Sequence, residues 1–351
     1  MTQKNNPGNF LEDFRLDQEI RHATPRTVGW GDTALYTALT GSRFPIFSAD
    51  SFARKVGLKR APVDDLLTFH IVFGKTVPDI SLNAVANLGY AECRWLAPVY
   101  PGDSIHAISR VIGIKENSSG RTGVIYVRSQ GYKDGDELVL DFVRWVMVHK
   151  RDPAAKLSSE RVPSPAAVVS PERLRVPSGL DFGLYDWQLA GSNHAWDDYV
   201  VGEKIDHVDG MTIEEAEHQM ATRMYQNTAR VHFDQLSQGR EKSGRRLIYG
   251  GHIISLARAL SFNGLGNGAF MAAINGGRHV NPTHAGHTLY AWSEILDHAE
   301  IEGRRDVGAL RVRTVALKDQ PAAGFPDRDA AGKYPDSVVL DLDYWVLMPR
   351  R

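Results

Sequence analysis

Between Gly123 and Lys150 apolar and polar positions alternate, with β-branched and aromatic residues on the apolar phase. A period of two reads as strands. Lys133-Asp134-Gly135-Asp136 interrupts the alternation with a hairpin turn. Upstream, the run DDLLTFHIVFG from Asp64 is dominated by apolar residues and reads as a helix, and a second such helix, GGHIISLARAL, starts at Gly250. Each helix is preceded by a short strand, a helical stretch (Thr27 to about Leu39; Thr212 to about Met224) and a loop. In the second stretch Thr212 with Glu215 three positions on forms a capping-box signature. One long helix followed by successive antiparallel strands is an α+β pattern, satisfied by an antiparallel sheet wrapped around a central helix.

The pattern occurs twice. With the chain displaced by 185 residues against itself, Phe14, Ile20, His22, Thr27 and Arg60 fall on Tyr199, Ile205, His207, Thr212 and Arg245. At a displacement of 184, Arg94, Pro98, Gly102 and Ser104 fall on Arg278, Pro282, Gly286 and Thr288. At 185 again, Gly123, Arg128 and Asp134 meet Gly308, Arg313 and Asp319, and at 200, Asp141 and Trp145 meet Asp341 and Trp345. The last step places an insertion of about 15 residues, rich in Pro, Gly and Asp, as a surface loop in the second copy. The division is residues 1–150, a linker over 151–198, and residues 199–351. The first part of the linker is rich in Pro, Ser and Ala and is expected to run over the surface.

A length of 351 residues with 42% hydrophobic content suits two domains. A formal net charge of -1 gives no footprint for nucleic acid or a membrane surface. Cys93 is the single cysteine, which excludes intrachain disulfides and multi-cysteine metal sites. With no apolar run of membrane-spanning length and no signal-type N-terminal segment, the expectation is a soluble cytoplasmic protein.

Three segments resemble the MaoC-like hydratases of the (R)-specific enoyl-CoA type. Their strand start P-V-x-P-G-D-[ST]-[LI] stands here as Pro98-Val99-Tyr100-Pro101-Gly102-Asp103-Ser104-Ile105. Their loop G-D-x-N-P-[LI]-H-x-D is present in degraded form in both copies, and their helix start P-I-V-H-G-M corresponds to Tyr249-Gly250-Gly251. The resemblance covers nearly the whole chain and implies a tandem, or double, hot-dog fold. It also implies hydration of an acyl-CoA thioester, with mesaconyl-CoA as substrate and no cofactor or metal. In the first copy Ser42 and Phe47 stand at the family's Asp and His positions. Neither transfers a proton at neutral pH, so the first copy is expected to be inactive. In the second copy Asn227 stands at the Asp position and His232 at the His position.

Hydration of an unsaturated thioester requires a polarised carbonyl, an aimed water and a proton for the α-carbon. The helix N-terminus at Gly250 and Gly251 offers backbone N–H donors for the carbonyl oxygen. A packing role for the two glycines is the competing reading. His232 suits the proton transfers, and Asn227, whose amide orients water without deprotonating it, suits the aiming. Tyr249 and Arg230 are candidate substrate contacts. Arg230 faces either the free carboxylate of a dicarboxylic acyl group or a CoA phosphate, and Arg245 and Arg246 are further phosphate candidates. Asp234 is a candidate partner of His232. Trp30, Tyr36, Phe44 and Phe47 either fill the cavity that takes a fatty tail in long-chain members or form ordinary core. A general hydratase for monocarboxylic chains, a non-catalytic acyl-CoA-binding protein and a thioesterase stand as alternatives, because the fold does not choose the reaction. Whether two chains associate as a homo-oligomer is open.

Overall fold

The computed structural model describes residues 4–157, 159–240 and 243–351. Its strands are β1 (Glu19–Thr27), β2 (Ala84–Trp95), β3 (Ser104–Glu116), β4 (Thr122–Lys133), β5 (Glu137–His149), β6 (Lys204–Asp206), β7 (Met211–Thr212), β8 (Phe270–His279), β9 (Thr288–Glu300), β10 (Val307–Lys318) and β11 (Val338–Pro349). They join in one antiparallel sheet of order β1-β3-β4-β5-β2-β8-β11-β10-β9-β6, with β7 also on β9. Each half repeats the other's order. β6 and β7 are β1 interrupted, and they occupy on β9 the edge that β1 occupies on β3. The halves meet where β2 pairs with β8, Tyr90 opposite Gly277 and Arg94 opposite Ala273.

Four helices matter for the site: α1 (Trp30–Thr40), α2 (Asp65–Thr76), α3 (Glu215–Met224) and α4 (Gly250–Leu260). Every residue of α2 is buried, and the helix packs on β1, β3, β4 and β5; α4 packs in the same way on β9, β10 and β11. This is the expected double hot-dog, a sheet wrapped around each central helix. The duplication extends to buried polar chains. His22 Nε2 meets Ser109 Oγ at 2.8 Å and Ser109 meets Ser129, while His207 Nε2 meets Ser293 Oγ at 2.7 Å and Ser293 meets Thr314. At the axis between the copies, His70 of α2 and Ser255 of α4 are bonded to each other at 2.8 Å.

Three local expectations change. The capping box at Thr212 does not form: the helix starts at Glu215 without a side-chain cap, and the Thr212 hydroxyl is engaged by Thr288. Strand pairing with β9 has taken Thr212 out of the helix. The linker does run along the surface, but it is anchored there, with Val169, Leu174, Leu180, Phe182 and Tyr185 buried against Phe270, Trp345 and Leu347. Trp345 Nε1 donates to the Val169 carbonyl at 2.9 Å. The aromatic residues do not fill an acyl tunnel. Trp30 is exposed, Tyr36 donates to Ser255, Phe44 covers Arg258 and Phe47 packs on Phe270. Among the described residues no helix is long and apolar enough to cross a membrane.

Candidate active site

The two helix N-termini differ in a way that selects one of them. At α2, Asp64 caps the helix by accepting from Leu66 N–H, and the buried Asp65 carboxylate accepts from Met271 N–H at 2.9 Å. Burial holds Asp64 up at about 6. The positive end of the dipole is therefore already occupied by the chain's own Asp64 carboxyl group. At α4 the capping position is Tyr249, which supplies no side-chain acceptor. Its N-terminus opens through Gly250 onto a cavity of about 490 Å³, within the range of small-ligand sites.

The cavity wall brings Asn227, Arg230, His232, Tyr249 and Gly250 together. His232 ends a short helical turn, Arg230–His232, and its Nδ1–H donates to the Leu247 carbonyl at 2.9 Å. That bond fixes the tautomer, leaving Nε2 as an unprotonated acceptor for the cavity. Burial holds His232 down at about 4, against the opposing pull of the Leu247 bond. The imidazole is thus neutral at pH 7 and competent as a base. Asn227 is buried, and its Oδ1 accepts from Ala229 N–H at 3.0 Å. A backbone donor can be met only by the amide oxygen, so the Nδ2 end is the one free to face a water.

Gly250 and Gly251 take different parts. A Cβ at Gly250 would lie 2.5 Å from the His279 ring, and one at Gly251 would lie 2.5 Å from the ring of Tyr249. Close packing alone thus requires glycine at both positions. Gly250 borders the cavity, whereas Gly251 lies beneath Tyr249 and is absent from the wall. The Tyr249 N–H donates to His218 Nε2 at 2.9 Å, which pins the start of the helix. Arg230 is exposed at the rim, so the cost of burying an unpaired guanidinium does not apply to it. Asp234 is exposed too, and caps the next helical turn by accepting from Ser237 N–H at 3.0 Å, away from His232. Arg246 pairs with Glu215 and Arg245 with the Ala285 carbonyl.

Several groups on the wall carry no family motif. Tyr90 and His279 are bonded at 3.2 Å between hydroxyl and Nε2, and burial lowers His279 to about 4. Phe73, Asn87 and Arg144 come from the first copy. In the internal alignment His279 faces Trp95 and Arg144 faces Tyr344, each beside a matched residue. A polar residue in one copy against an aromatic in the other was the available signal.

A double hot-dog whose second copy holds an amide, a neutral imidazole and an open helix N-terminus around one cavity defines a MaoC-like hydratase or dehydratase. The comparisons narrow this. The family described as mesaconyl-CoA hydratase matches residues 1–331. The chain is 62% identical over 351 residues to the β-methylmalyl-CoA dehydratase of Chloroflexus aurantiacus, covering 100% of both chains. It is 58% identical over 347 residues to the mesaconyl-CoA hydratase of Cereibacter sphaeroides, covering 99% of this chain and 100% of that one. The chain belongs to the mesaconyl-CoA hydratase family. A solved structure of a MaoC domain dehydratase from Chloroflexus aurantiacus superposes with a TM-score of 0.98 at 61% identity, covering 100% of each chain. A Mycobacterium tuberculosis protein described as a double hot-dog superposes with a TM-score of 0.76 at 24% identity over 98% of this chain and 99% of that one, and shares the fold.

Proposed function

We propose that this chain reversibly hydrates mesaconyl-CoA (2-methylfumaryl-CoA) to β-methylmalyl-CoA at the cavity of its second copy. The observation that carries the reading is the convergence of Asn227, His232 and Gly250 on one wall. The Gly250 N–H polarises the thioester oxygen, backed by the α4 dipole. Asn227 Nδ2 donates to a water and holds its oxygen toward the β-carbon, the carbon that carries the free carboxylate. His232 Nε2 takes a proton from that water as the oxygen bonds to the β-carbon. The π pair moves toward the thioester, whose oxygen gathers charge in front of Gly250. The imidazolium then returns a proton to the α-carbon, and the base is neutral again. The amide at Asn227 is no defect in this scheme, because His232 alone carries the proton both ways. The exposed Arg230 suits a phosphate of the CoA moiety at the rim.

The test is to mix the protein with mesaconyl-CoA, follow loss of the conjugated thioester absorbance and look for a mass gain of one water. Release of free CoA in place of hydration would mark a thioesterase and refute the proposal.

A further inference from the structure

Arg144 of β5 has no exposed surface, and no salt bridge engages it among the described residues. Its donors meet neutral oxygens alone, with Nη2 to Thr76 Oγ1 at 2.7 Å and both Nη atoms to Ser81 Oγ at 3.4 Å. Nε is buried without a partner among the described residues. The guanidinium carbon sits 4.2 Å from the centre of the Phe73 ring. Burial lowers it to about 10, still far above neutral pH, so it stays cationic beside the uncharged hydroxyls of Tyr90 and Tyr249. The other interior arginines have acidic neighbours. Arg94 and Arg128 pair with Asp141, Arg313 pairs with Asp341 and Asp327, and Arg258 has Asp64 and Asp65 as neighbours. An unpaired interior cation is costly, and the cost is removed by an anion delivered from outside.

The cavity next to Arg144 is the one that holds His232. Phe73 lies 5.6 Å from Tyr249, and Tyr249 lies 5.6 Å from His232, ring centre to ring centre. Asn87 of β2 lines the same cavity, and among the described residues both ends of its buried amide have no partner. Resting on the reading of mesaconyl-CoA as substrate, we infer that Arg144, assisted by Asn87, is the anchor for the substrate's free carboxylate. The guanidinium offers a planar fork that a carboxylate can engage with two bonds. The carboxylate is attached to the carbon that receives the hydroxyl, so anchoring it also fixes that carbon against the water held by Asn227. The first copy, which lost its own proton-transfer groups, thereby supplies the specificity of the second. Arg230, exposed at the rim, does not have this role.

The test compares kcat/KM for mesaconyl-CoA with that for 2-methylcrotonyl-CoA, in which a methyl group replaces the carboxylate. In Arg144→Met the ratio of the two values falls by about 100-fold or more. Arg144→Lys, which keeps the charge without the fork, lowers it by about 10-fold, and decides the matter if the methionine variant does not fold. An equal loss on both substrates, leaving the ratio unchanged, would show a structural role and overturn the assignment. Failure of the parent protein itself on mesaconyl-CoA would overturn the substrate reading, and the Arg144 assignment with it.

Discussion

The imidazole of His232 owes its protonation state to two neighbours of different kinds. The Leu247 carbonyl holds the proton on Nδ1, and the surrounding apolar wall refuses a second proton until about pH 4. Replacement by alanine removes both proton transfers, and His232→Ala is expected to lower kcat by about 10²–10⁴-fold with little change in binding of a saturated acyl-CoA. The pH profile follows with a definite sign. The base is active when neutral, so kcat/KM should stay flat from pH 8 to below 6 and fall only toward about 4. An acid limb centred near 6.5, the value of an ordinary histidine, would mean that His232 is not the buried base described. At Asn227, substitution by aspartate places a carboxylate where its oxygen still accepts from Ala229 N–H but the Nδ2 donor is gone. Asn227→Asp should therefore lower kcat, and a gain in rate would show that the position works as a base. The sequence alone exposed these two residues, because their spacing of five survives from the family loop. It did not expose Arg144 or His279, which lie on strands and belong to no motif. Their roles arise from which strand faces which cavity, a property of the whole sheet.

At the scale of elements, the contrast between α2 and α4 supports the proposal that the second copy carries the site. Both helices were legible in the chain as apolar runs, and the lost Asp and His positions of the first copy were legible too. What was hidden is that α2 closes its own N-terminus with Asp64, since a capping carboxylate looks the same in sequence whether or not a ligand competes for the site. The capping box at Thr212 misled for a related reason: local propensity favours the cap, and pairing with β9 overrides it. The open end of α4 depends on Gly250, where a Cβ would lie 2.5 Å from the His279 ring. Gly250→Ala should cost about 1–3 kcal/mol of stability by overpacking, measurable by urea unfolding. It should also lower kcat by about 10²–10³-fold as the N–H donor shifts from the thioester oxygen. Wild-type activity in this variant would remove Gly250 from the oxyanion role.

In the whole molecule the halves are not separable modules. One sheet runs through both, and Gly74 of α2 lies so close to the loop before Asn227 that a Cβ there would meet the Tyr225 carbonyl oxygen at 2.0 Å. The duplication could be read directly from the chain, but this interlock could not, because the displaced alignment reports likeness between copies and nothing about contact between them. The interior also holds a set of neutral histidines. Burial keeps His207, His232, His252 and His279 at about 4, lowers His218 to about 2 and holds His70 well below its ordinary value. An unfolded chain protonates these groups at about 6.5, so between that value and about 4 it binds more protons than the folded chain. Stability is therefore fully present above pH 6.5 and is lost as the pH falls, with each histidine adding a slope approaching about 1.4 kcal/mol per unit. Asp64, held up at about 6, acts in the opposite sense and offsets part of this loss. Urea midpoints measured at pH 7, 6 and 5 should decline steeply, and a flat series would contradict neutral burial of the cluster.

The most direct test of a hydratase site in the second copy is turnover of mesaconyl-CoA by the parent protein and by His232→Ala, with addition of water followed by mass. The parent should hydrate mesaconyl-CoA to a product heavier by one water, and the variant should lose at least about 100-fold in kcat. Equal rates in the two proteins, or no hydration by the parent, would contradict the account.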